Sequence, residues 1–122
     1  MPDLAECSCT GKSLPRLLRP GIMAFLAQGE AHGYQIAQQL SRMRMFAGRE
    51  PDHAGIYRAL RDMADEGLVM SAWQTGDTGP ARRVFALTDD GATCLETWLA
   101  TLCDYREAVN ELLALIRRSR QQ

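Results

Sequence analysis

The sequence predicts a mainly α fold with one small β-hairpin (α+β), and three observations predict it. Helical apolar spacing recurs in three short segments, two strand-like runs flank a Gly- and Pro-containing turn, and a long apolar seam fills the last third. The 122 residues, 46% hydrophobic and 24% charged, are the size of one ordinary globular domain. Barrel enzymes and two-domain dehydrogenases need roughly 200 residues or more and are excluded.

The elements follow in order. Residues 1–13 form a polar leader that carries Cys7 and Cys9. From Leu14 to Leu26 the apolar residues Leu14, Leu17, Leu18, Ile22, Phe25 and Leu26 fit a helix, and Pro20 implies a late start or a kink. Gly29 ends it. His32-Gly33-Tyr34 opens a second helix with Ile36, Ala37 and Leu40 on its apolar stripe, and Met45 to Pro51 reads as a loop. Asp52 is an N-cap for a third helix through Glu66, because its carboxylate can accept orphan amide protons. Ile56, Ala59, Leu60 and Met63 mark the buried face of that helix, and Gly67 suits a left-handed C-terminal cap. Leu68 to Gln74 and Arg83 to Leu87 read as strands, with Thr75 to Pro80 as the turn between them.

Thr88 is placed to cap the last helix, and Asp89 and Asp90 complement the positive end of its dipole. Leu95, Trp98, Leu102, Tyr105, Val109, Leu112 and Ile116 then recur at alternating spacings of 3 and 4. This predicts one helix of roughly 30 residues, about 45 Å long. Such a helix overhangs a core of residues 14–88, so the seam within 89–122 predicts pairing with a second copy of the chain. The alternative is a helix folded back over its own domain.

Three short helices, a hairpin and a long terminal helix make a winged helix-turn-helix with a dimerisation arm. Helices two and three are then the helix-turn-helix, with the third entering the DNA major groove. Ala54, Tyr57, Arg58 and Arg61 share one helical face, opposite the buried one. Tyr57 can bond a phosphate, and Arg58 and Arg61 can reach phosphate or guanine. His53 sits at the positive end of the helix, where backbone amides hold phosphate. Arg82 and Arg83 suit a wing resting on the DNA backbone or minor groove. An ordinary solvated face is the alternative, and Asp62, Asp65 and Glu66 confine the basic part to the front half of the helix.

Composition alone does not point to DNA. The 14 Lys+Arg against 15 Asp+Glu leave a formal charge of −1, so nucleic-acid binding needs a local patch. Thirteen of the basic residues are Arg, a bias that bidentate phosphate recognition and a GC-rich genome both produce. No apolar run approaches the roughly 18 residues of a membrane span, and the first ten residues do not resemble a signal peptide. The expected location is the cytoplasm, with reduced cysteines.

Four stretches resemble the PadR family of bacterial transcriptional regulators, in its short class with a single C-terminal helix. They are HGYQIAQQL at 32–40, IYRALRDMADEGLV at 56–69, GPARRVFALTDDG at 79–91, and the terminal helix. The resemblance covers roughly residues 14–120 and implies a homodimeric winged-helix repressor of pseudo-palindromic operators. By position, Tyr57 matches the family tyrosine of the third helix, and Arg82 and Arg83 match its basic wing positions. Family members often read Ser-Pro-Gly-Thr before the Leu/Ile-Tyr pair, whereas Asp52-His53-Ala54-Gly55 stands here and removes the Thr hydroxyl. Operator sequence therefore does not transfer.

The resemblance also implies a small aromatic effector stacked on tryptophans of the last helix, which points to Trp98; the alternative is a large interface core residue. Trp73 reads as wing-strand packing. Cys7 and Cys9, with Cys94 or Cys103, could hold a metal ion or iron–sulfur cluster or act as a redox pair, and incidental thiols are the alternative. Neither His32 nor His53 has a companion at metal-ligand spacing, and no nucleophile–base pair is visible, so an enzyme is not expected. The competing class is a winged helix that binds protein instead of DNA.

Overall fold

The computed structural model describes residues 17–46, 53–74 and 79–121. The element order is α1 (Leu18–Leu26), β1 (Ala31–His32), α2 (Gly33–Ser41), a 3₁₀ turn (Arg44–Phe46), α3 (His53–Asp65), β2 (Val69–Gln74), β3 (Arg82–Leu87) and α4 (Asp89–Ser119). The leader with Cys7 and Cys9, the Asp52 cap, most of the 45–51 loop and the centre of the hairpin turn lie outside the described residues.

Pro20 is accommodated by a late start. It stands in the first turn of α1, where its missing amide proton would have had no intrahelical acceptor. Gly67 closes α3 with φ +79°, a left-handed conformation that glycine adopts without penalty. Leu68 N donates to Met63 O at 2.8 Å and Gly67 N to Ala64 O at 3.0 Å, so both terminal carbonyls are satisfied in a Schellman cap. Thr88 caps α4 as expected: its Oγ1 accepts from Gly91 N at 3.0 Å and donates to Gly67 O at 2.7 Å. That second bond fastens the start of α4 to the end of α3.

The sheet differs from the expected hairpin. β2 and β3 pair antiparallel from Val69↔Leu87 to Gln74↔Arg82, and β1 adds a third strand through Ala31↔Phe85 and His32↔Val84, giving the order β1-β3-β2. A two-residue strand has no alternation to detect, and the sequence there reads only as a helix start. The second difference is Phe46, which ends the 3₁₀ turn and is 1% exposed although its segment reads as loop.

The core gathers Ile22, Met23 and Leu26 of α1, Ile36 and Leu40 of α2, Phe46, and Ile56, Leu60 and Met63 of α3. Val69 and Phe85 close it from the sheet. Cys94, Leu95 and Trp98 pack against this cluster from α4, so the first two seam residues contact their own domain. Beyond them α4 leaves the core, and Leu99, Tyr105, Val109, Leu112, Leu113, Leu115 and Ile116 are exposed. Among the described residues no helix is long and apolar enough to cross a membrane.

Candidate nucleic-acid interface

α3 buries Ile56, Leu60 and Met63, which turns Ala54, Tyr57, Arg58 and Arg61 outward on the opposite side. These four residues, with Ala64 and Asp65, line a concavity of about 410 Å³ whose far wall is Arg83 and Phe85 of β3. The expected reading face and one wing arginine therefore share a single groove. Asp65 lines it too, so a carboxylate stands inside the groove and not only on the helix face behind it.

Tyr57 and Arg83 also line a second cleft, of about 640 Å³, with His32, Tyr34, Trp73, Ala81 and Arg82. These two residues thus stand between the α3 groove and the cleft beside the N-terminus of α2. Trp73 is 68% exposed here. The expectation of wing-strand packing is not met: Trp73 pairs with Arg83 near the outer end of the hairpin and borders the cleft with Tyr57 instead of being buried.

Tyr57 is held from two sides. Its ring lies so close to α2 that a Cβ added at Gly33 would come within 2.5 Å of its hydroxyl oxygen, and its centroid is 6.3 Å from that of Phe85. Glycine at position 33 is what lets α2 and α3 approach this closely. His53, the first residue of α3, is exposed with its ring 5.7 Å from Tyr34, so the N-termini of the two helices meet through aromatic contact.

The wing arginines have different partners. Arg83 Nε donates to Ser71 Oγ at 3.1 Å, and its guanidinium carbon lies 5.5 Å from the Phe85 ring centroid. Arg82 Nη1 approaches His32 Nε2 at 3.3 Å. Among the described residues, ion pairs are limited to Arg19–Glu66 and Arg106–Glu107, so Arg58, Arg61, Arg82 and Arg83 carry no carboxylate partner there. Arg58, Arg61 and Arg83 line the α3 groove and Arg82 the neighbouring cleft, a local excess of positive charge that favours an anionic ligand.

Trp98 and Cys94 are half-buried against the core, and Cys103 is half-buried further along α4. Among the described residues no three His, Cys, Asp or Glu side chains converge as metal ligands. Sequence reasoning missed Ser71, Phe85 and Tyr34. Period-2 alternation places Phe85 inward, but the pairing of Ser71 with Arg83 depends on a strand register that the sequence does not state.

The three-helix core, sheet order and long last helix define a winged-helix protein. The chain belongs to the transcriptional regulator PadR-like family, whose model matches residues 22–97. It is accordingly a transcriptional regulator and not an enzyme. Among solved structures it is similar to Bacillus subtilis PadR in complex with operator DNA, at 28% identity and a TM-score of 0.61 over 69% of this chain and 47% of that one. It thus spans about half of that protein. A PadR family regulator from Clostridium difficile matches with 24% identity and a TM-score of 0.70 over 80% and 99% of the two chains. A PadR-like regulator from Bacillus cereus matches with 24% identity and a TM-score of 0.68 over 87% and 95%. These last two show the shared fold. No functionally curated protein matches the sequence.

Proposed function

We propose that two copies of this chain, paired through α4, bind pseudo-palindromic operator DNA and repress transcription until a signal releases them. The observation that carries the DNA reading is the groove between α3 and β3, where Arg58, Arg61 and Arg83 converge without an acidic partner among the described residues. α3 would enter the major groove and Arg82 and Arg83 would rest on the flanking backbone, as in other winged helices. The Bacillus subtilis relative was solved with operator DNA, which favours this over a protein-binding winged helix. The pairing reading rests on the exposed apolar residues of α4 from Leu99 to Ile116. The releasing signal is an aromatic effector at Trp98, or metal or oxidant at Cys7 and Cys9 with Cys94 or Cys103.

Gel retardation with a duplex from upstream of the chain's own coding region tests this. The wild-type chain should retard that duplex at roughly 50–100 mM salt, and Arg58→Ala or Arg61→Ala should each weaken binding about tenfold. Asp65→Asn should tighten it by about two- to fivefold, because a carboxylate leaves the groove that takes the phosphates. Absence of retardation at that salt, or indifference to all three substitutions, contradicts the reading. Cys7→Ser/Cys9→Ser should abolish release by metal or oxidant if the thiols are the sensor, and should leave release by an aromatic ligand unchanged if the signal enters at Trp98.

A further inference from the structure

We propose that Ser71 is a positioning residue for DNA binding: its hydroxyl holds the Arg83 guanidinium against Phe85, with its outer edge presented to a backbone phosphate. This rests on the reading of the α3–β3 groove as the DNA interface. The register of the hairpin supplies the geometry. Ser71 pairs with Phe85 and Trp73 with Arg83, so all four side chains stand on one face of the sheet and Ser71 is the diagonal neighbour of Arg83. Phe85 is 2% exposed and fixed in the core, which makes it a rigid floor under the guanidinium carbon 5.5 Å away. Ser71 Oγ accepts from Nε, the donor nearest the stem.

Using Nε in this way leaves the two terminal nitrogens, and the edge between them, for a ligand. That edge matches two oxygens of one phosphate in a bidentate contact. An unrestrained arginine loses rotamer freedom when it binds, and one already held by a hydrogen bond and a ring face loses less. Arg83 lines both the α3 groove and the cleft beside α2, the place from which one cation can meet the DNA strand that runs between helix and wing. Arg58 and Arg61 have no such hydrogen-bonded restraint among the described residues, so Ser71 makes Arg83 the preformed contact of the set.

The phosphate contact does not depend on base sequence, so the probe is a fluorescein-labelled duplex of mixed sequence, roughly 30 base pairs long, at about 50 mM salt. Anisotropy should show Ser71→Ala binding about three- to tenfold more weakly than wild type, and Ser71→Thr, which keeps the hydroxyl, binding as wild type does. In an Arg83→Ala background Ser71→Ala should have no further effect. Arg83→Ala should also lower the slope of log affinity against log salt by about one ion, while Ser71→Ala keeps the wild-type slope because the phosphate contact is still made. If Arg83→Ala is weak and Ser71→Ala binds like wild type, or weakens binding equally without Arg83, the positioning role is overturned and the interface reading stands. If Arg83→Ala itself binds like wild type, the interface reading of Arg83 is overturned, and Ser71 with it.

Discussion

Tyr57 occupies the space that a side chain at position 33 would need, and this one contact joins α2, α3 and the wing. A methyl group at Gly33 would meet Tyr57 Cζ and Oη at 2.5 Å, so the ring must move, and with it the wall shared by the groove and the cleft. Gly33→Ala should destabilise the fold by about 1–3 kcal/mol, read from the urea midpoint, and the cost should largely vanish in a Tyr57→Ala background where the ring is gone. Equal cost in both backgrounds would show that the strain lies elsewhere. The arginines argue in the same local terms. Arg19–Glu66 is an exposed ion pair whose contribution to stability is small, while Arg83, tied to Ser71 and Phe85, gains its value from being held in place.

The elements were unequally legible in the sequence. α4 was legible because its apolar residues keep one period for three heptads, and its Thr88 cap and acidic first turn agree with the structure. α3 was legible for the same reason, down to the Gly67 cap. β1 was not, since two residues carry no periodicity and are recruited only by the free edge of β3. The basic face of α3 was readable from helical spacing, but its closure into a groove by Arg83 and Phe85, and the intrusion of Asp65, follow from where the hairpin packs. α4 serves two purposes along its length. Leu95 and Trp98 anchor it to the core, and from Leu99 onward it offers apolar surface to solvent. Leu112→Asp/Ile116→Asp should raise the dimer dissociation constant by about a hundredfold or more, giving the 13.6 kDa monomer in light scattering with helix content retained. A dimer that survives both substitutions would place the contact outside this seam.

A chain with a net charge of −1 has no overall attraction for DNA, and the structure replaces that average with a local arrangement. Four arginines gather around α3 and the hairpin, and α4, 31 residues long and anchored to the core through Leu95 and Trp98, leaves from the other end of the last strand. Pairing two chains through α4 would repeat the arginine groove by a two-fold axis, and a two-fold reader requires two half-sites set by helical repeat. The account therefore predicts a fixed stoichiometry. The most direct measurement is sedimentation of the complex with an upstream duplex of roughly 30 base pairs at about 100 mM salt. Two chains per duplex, adding twice 13.6 kDa to the DNA mass, is the predicted result; one chain per duplex, or sedimentation of free DNA, would contradict it.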